Sequence, residues 1–100
     1  MPRIYKNFVG AANIQPLISK GSDTSGNINK ILITNVNTSN AVDVTIDLHD
    51  GTNTYTIIKE VEIPINSSLV LSDNISFDTK FFTLRITTSG TSPNVTVIIS

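Results

Sequence analysis

Along most of this chain apolar and polar residues alternate. Between Val42 and His49 the apolar Val42, Val44, Ile46 and Leu48 take turns with Asp43, Thr45, Asp47 and His49. Successive side chains of a strand point to opposite faces, so this spacing predicts a strand with one face in a core and one in water. Phe82, Leu84 and Ile86 alternate with Thr83, Arg85 and Thr87 in the same way, as do Val95, Val97 and Ile99 with Thr96 and Ile98. Residues 30–36, KILITNV, are apolar on both parities around Ile31, Leu32 and Ile33 and read as a central strand covered on both faces. In residues 53–63, Tyr55, Ile57, Val61 and Ile63 share a parity with Lys59. Either Lys59 points inward with its stem along apolar surface, or a bulge near Lys59 and Glu60 resets the phase. Residues 3–8, 13–18 and 68–72 are three further candidates.

No window of a dozen residues carries apolar positions at helical spacing without an interrupting Gly, Pro or Asn, so essentially no helix is expected. The breaks between strands carry turn chemistry: GSDTSGN at 21–27, NTSN at 37–40, DGTN at 50–53, SDN at 72–74 and SGTSPN at 89–94. Asp50-Gly51 predicts a type I′ turn, in which both central residues have positive φ, and hence an antiparallel pairing of its two flanking strands. About eight short strands at this turn spacing define the expected fold class: all-β, an antiparallel β-sandwich, jelly-roll-like or Ig-like. One hundred residues bury one core, so a single domain is expected, with residues 1–18 as an N-terminal arm or edge strands and 19–100 as the sandwich.

Composition sharpens this picture. Ile (15) and Val (8) far outnumber Leu (6) and Ala (3), which favours pleated, half-buried surfaces over helices. Ser, Thr and Asn make up 35 residues while 15% of the chain is charged, so the surface is neutral and rich in hydrogen-bonding groups. A net charge of −1, with Lys and Arg scattered, gives no field to collect phosphate backbones or anionic lipids, so neither nucleic acid nor a membrane is an expected partner. The chain has no cysteine, hence no disulfide, thiolate nucleophile or thiolate metal site. Residues 1–19 lack the apolar run of a signal peptide or membrane anchor.

Candidate chemistry is thin. Asp43, Asp47 and His49 share one face of their strand, and Asp47 with His49 could share a metal, but no second histidine completes three or four converging ligands. The plainer reading is a charged outward face on an edge-proximal strand, which discourages edge-to-edge pairing. No serine lies in a nucleophile-elbow frame, Glu60 and Glu62 stand on one strand rather than across a cleft, and the glycines form no phosphate cradle. The oxygen-rich loops at 22–27 and 50–53 lack the ligand alternation of a calcium loop. Hence no catalytic residue, cofactor or metal is expected. What stands out is four apolar side chains on nominally wet parities: Leu32, Ile58, Phe81 and Ile98. Should these fall together they form an exposed patch of the kind that marks an interaction surface. Ile4, Tyr5 and Phe8 are the candidate contacts of the N-terminal segment.

The stretches Ile31–Asn35 (ILITN), 44–50 (VTIDLHD), 55–64 (YTIIKEVEIP) and 68–73 (SLVLSD), with the strands at 82–87 and at the C-terminus, resemble small virion structural proteins of tailed phages, particularly of marine and cyanobacterial phages. The resemblance covers residues 30–100 and rests on strand ends and turns, which name no chemistry. It departs from the pattern at 74–79, where a shorter, glycine-containing turn is usual. It implies a β-sandwich in a virion assembled in the host cytoplasm, homo-oligomeric, with the major capsid protein or neck and tail proteins as partners. The resemblance does not specify the place in the particle; small size, full β character, absent chemistry and low charge point to a non-enzymatic capsid decoration or cement subunit, with a neck, tail or fibre component of the same virion as the alternative and a carbohydrate-binding module as a third.

Overall fold

The computed structural model describes residues 4–9, 14–21, 27–72, 74–90 and 93–100. Ten strands follow one another: β1 (Ile4–Val9), β2 (Ile14–Ile18), β3 (Asn27–Ile28), β4 (Ile31–Asn35), β5 (Val42–His49), β6 (Thr54–Ile63), β7 (Ser68–Leu71), β8 (Ile75–Ser76), β9 (Thr83–Ser89) and β10 (Asn94–Ile99). There is no helix among the described residues. Eight strands make two four-stranded sheets, β1-β10-β4-β7 and β2-β9-β5-β6, and the short β3 and β8 pair with each other. All pairings are antiparallel.

The pairing is nested: β1 with β10, β2 with β9, β3 with β8, β4 with β7 and β5 with β6. The chain is thus one long antiparallel ribbon folded at its middle, with the Asp50-Gly51 turn at its tip. Two lateral pairings, β10 with β4 and β9 with β5, roll that ribbon into two facing sheets. This is the jelly-roll connectivity, not the Ig-like one, and the two alternatives open from sequence resolve to the first.

Between the sheets lie Leu17, Ile18, Ile28, Ile31, Ile33, Val42, Val44, Ile46, Ile63, Leu84, Ile86, Val95, Val97 and Ile99, all buried. Twelve of these fourteen are Ile or Val, whose single preferred χ1 rotamers cost little entropy to fix on a pleated surface. Each such side chain contributes about 1.5–3 kcal/mol by leaving water. Strand β4 is central, as its apolar run predicts, but it is not covered on both faces: Ile31, Ile33 and Asn35 are buried while Leu32 and Thr34 are half-exposed.

One local expectation needs correction, and one open alternative is resolved. Asp50 does not adopt positive φ, whereas Gly51 does at 103°, so the tip is not a type I′ turn. His49 pairs with Thr54, and the four residues between close through Asp50, whose N–H donates to the Asn53 carbonyl at 3.2 Å. Its Oδ1 accepts the backbone N–H groups of Asn53 (2.6 Å) and Thr52 (2.8 Å), the side chain standing in for a backbone turn. The same two hydrogen bonds hold the Asp50 carboxyl below the ordinary aspartate range. In β6 the bulge alternative applies. Val61 faces Val44 and Ile58 faces Ile46, leaving Lys59 and Glu60 against the single Thr45. Glu60 takes φ 50°, and its N–H donates to Thr45 Oγ1 at 2.9 Å. A second irregularity leaves Ile57 extra between Ile58 and Thr56, so both Ile57 and Ile58 pack toward the core.

Candidate functional site

The aspartate and histidine face of β5 is the first place to look for chemistry. Strand β5 lies one strand in from the edge, between β9 and the edge strand β6, so it is edge-proximal but has no free edge for its charges to guard. Asp47 is also not wet. It is 5% exposed and faces Arg85 across the β5–β9 ladder, where Arg85 Nε donates to its Oδ1 at 2.7 Å. Arg85 Nη2 reaches Thr54 Oγ1 at 3.4 Å, and His49 Nδ1 lies 3.0 Å from the same hydroxyl. The carboxylate is thereby spent on a cross-strand ion pair, and a covered ion pair stabilises only while both partners remain. Among the described residues no group of three or more His, Cys, Asp or Glu is placed to hold a metal. This face is a closed polar chain, Asp47 to Arg85 to Thr54 to His49.

The opposite outer face, on the β1-β10-β4-β7 sheet, is of another kind. Register places Tyr5 beside Ile98, Ile98 beside Leu32, and Leu32 beside Val70. Directly opposed residues have Cβ atoms about 4.5–5.5 Å apart, so these four make one continuous apolar row across all four strands. Its ends stand out in solvent, Tyr5 64% and Val70 48% exposed, and Leu32 and Ile98 are half-covered between them. One step along the strands runs a parallel row, Asn7, Thr96, Thr34 and Ser68. Its members are bonded in pairs: Thr96 Oγ1 donates to Asn7 Oδ1 at 2.6 Å, and Thr34 Oγ1 and Ser68 Oγ lie 2.9 Å apart. Neither row holds a charge. Near the apolar row is a depression of about 270 Å³ lined by Tyr5, Leu32, Ile98, Lys30 and Ser100, with the Lys30 and Ser100 backbones bonded to each other in both directions.

Of the four residues singled out in the sequence, the structure joins Leu32 and Ile98 in this row. Ile58 turns inward to the core because of the β6 bulges. Phe81 stands 61% exposed in a turn ahead of β9, where the Phe81 and Phe82 N–H groups donate to the Asp78 carbonyl at 3.1 and 3.0 Å. Among the N-terminal candidates, Tyr5 belongs to the row, while Ile4 and Phe8 share the other face of β1 and pack against the core. Strands β1 and β2 are the edges of their sheets. Val70 was missed. Its signal was available, since SLVLS is apolar on both parities and one of the two must face out.

Fold and site together define an all-β, two-sheet jelly roll with an outer sheet face that carries an apolar row and an uncharged polar row, and Lys30 at their margin. No family model matches the chain, and no curated protein matches it in sequence. Solved structures share the fold at low identity. A subunit of the Bacillus endospore appendages, which form disulfide-linked pili, is similar at TM-score 0.51 and 17% identity over 98% of this chain and 83% of that one. A pentameric capsid protein isolated from metagenomic phage sequences gives TM-score 0.48 and 12% identity over 96% of this chain. This chain spans 64% of that capsid chain and 59% of it in a second structure. The infectious bursal disease virus, Gx strain, contains a chain at TM-score 0.45 and 12% identity, covering 99% of this chain and 32% of that one.

Proposed function

We propose that this protein is a non-enzymatic structural subunit of a bacteriophage virion, a decoration or cement protein that holds the shell through many repeated contacts with the major capsid protein. The observation that carries the reading is the pair of uncharged rows on the outer face of the β1-β10-β4-β7 sheet, one of them the apolar row Tyr5, Ile98, Leu32 and Val70. The covered Asp47–Arg85 pair accounts for the one cluster of titratable groups without invoking chemistry. Support also comes from the strand-end motifs of residues 30–100, which resemble small virion proteins of tailed phages. The fold shared with the appendage subunit occurs there in a protein that assembles. With no cysteine in this chain, disulfides do not link its copies as they link those pili. A small contact gives little affinity alone, and repetition over a shell makes the sum large.

Quantitative mass spectrometry of purified phage particles tests the reading. Decoration requires a copy number on the order of hundreds per particle. A ring's worth, roughly 3 to 12 copies, sinks decoration in favour of a neck, tail or fibre place, because cyclic symmetry at the particle axis admits only so many. Absence from the particle overturns the virion role itself.

A further inference from the structure

We infer that the outer face of the β1-β10-β4-β7 sheet is the contact of a weak, two-fold symmetric dimer of this chain. The inference goes beyond the virion role and does not require it. Two observations point to a second copy as the occupant, and a third bears on how weak the contact is.

The first is charge. Both described rows, Tyr5-Ile98-Leu32-Val70 and Asn7-Thr96-Thr34-Ser68, are uncharged, whereas the other sheet's outer face carries Asp43, Asp47, His49, Glu62 and Arg85. A charged partner finds no counter-charge on these two rows, with Lys30 at the rim of the depression the one described cation beside them, and strips water from most of its own charges without return. A copy of the same face brings none.

The second is shape. A two-fold axis in the plane of contact and parallel to the strands lays each row on the same row with the strand order reversed. Tyr5 then meets Val70 of the copy and Ile98 meets its Leu32. The large end is set against the small end, and two side chains of like volume meet in the middle. In the polar row Asn7 meets Ser68 and Thr96 meets Thr34. Within each chain Thr96 Oγ1 donates to Asn7 Oδ1 at 2.6 Å and the Thr34 and Ser68 hydroxyls share a bond at 2.9 Å, and the Asn7 amide N–H groups that these bonds do not use face the Ser68 hydroxyl of the copy. An isologous contact of this kind closes at two copies.

The third is area. Four strands at about 4.8 Å spacing and about 20 Å of strand length give a flat face of about 400 Å². Even with side-chain relief this lies below the roughly 800 Å² per partner of a stable interface, which sets the dissociation constant at roughly 10 μM to 1 mM.

Sedimentation equilibrium of the full chain across that concentration range tests the dimer. Leu32→Lys and Ile98→Glu each introduce an unpaired charge into the contact, and each is expected to weaken self-association by about a hundredfold or more. Mixing the two variants is expected to restore a one-to-one dimer, since Lys at 32 of one copy lies over Glu at 98 of the other while the second crossing stays apolar. Thr87→Lys, on the opposite sheet, leaves the dimer unchanged. Circular dichroism melts report whether each variant folds, and the more exposed pair Tyr5→Glu and Val70→Lys replaces any that does not. A chain that stays monomeric at 1 mM overturns the inference, as does a dimer indifferent to both charges or one that mixing fails to restore. A protein missing from phage particles that still dimerises with this pairing leaves the inference standing and removes only the virion role.

Discussion

Asn35 is the residue on which the closed end of the sandwich depends. It is fully buried, and its Nδ2 donates to the carbonyls of Ile63 (3.0 Å), Asn40 (3.1 Å) and Pro64 (3.3 Å), while Oδ1 accepts the Asn37 N–H at 3.0 Å. One side chain from β4 thereby satisfies the loop after it and the end of β6, tying the two sheets together. Asn35→Ala strands these groups in a dry place, at about 1–3 kcal/mol each where water cannot enter, so a loss of about 3 kcal/mol is expected in urea unfolding. A loss below about 1 kcal/mol means that water takes over the bonds and the tie is dispensable. The sequence reading places Asn35 at a strand end, which is correct, but its burial was not legible there. Asn35 stands at the end of the strand read at 30–36, just before the turn NTSN at 37–40, and nothing local says that its amide is enclosed by a segment about 30 residues later. Asp47 fails to show itself for the same reason. Its partner Arg85 is 38 positions away, and alternation gives the face a residue points to, not what covers that face.

At the scale of elements, strand boundaries were legible where alternation or an apolar run of β-branched residues was bounded by turn chemistry. The read segments at 30–36, 53–63 and 82–87 match β4, β6 and β9 to within one or two positions, and Val42–His49 matches β5 at both ends. Strands β3 and β8 were not legible, since two residues carry no period and Asn27 and Ile75 lie in stretches with turn composition. Strand β6 carries a conflict of local and global demand. The bulge that turns Ile57 and Ile58 inward forces Glu60 to φ 50°, a conformation that costs an L-residue with a branched-out side chain roughly 1–2 kcal/mol and glycine nothing. Glu60→Gly should therefore stabilise the protein by about 0.5–1 kcal/mol, after the extra entropy of glycine in the unfolded chain is counted. Asn66→Gly, at φ 57° in the β6–β7 turn, is the control and should change stability less, because asparagine tolerates this region. Equilibrium unfolding with unchanged urea slope checks both, and a destabilised Glu60→Gly means that the carboxylate side chain does more than its backbone suggests.

Nested pairing gives the whole molecule a symmetry that no single element shows. A ribbon folded at its middle has two ends that can serve as its tip: the loop between β5 and β6, and the gap between Ile99 and Ile4, which face each other across the β1–β10 ladder. Joining Ser100 to Met1 leaves four residues, Ser100, Met1, Pro2 and Arg3, between that facing pair, a common hairpin length. Opening the chain at Asp50 and Gly51 then yields a permutant that begins at β6 and ends at β5. Its pairing is nested in the same way, with β10 and β1 now innermost and β5 and β6 outermost. Every core contact is retained, and what is lost is the turn built on Asp50, so the permutant should fold to the same two sheets with stability lower by about 2 kcal/mol. In the natural order the β1–β10 ladder closes the longest loop of chain, which makes it the slowest to find, and in the permuted order it forms from neighbours. Destabilising side-chain changes in β10 that only speed unfolding in the natural chain should therefore slow refolding in the permutant. Stopped-flow circular dichroism on Val97→Ala in both chain orders reads this directly. The same partition between folding and unfolding rates in the two orders is the result that would show the ribbon does not zip from its tip.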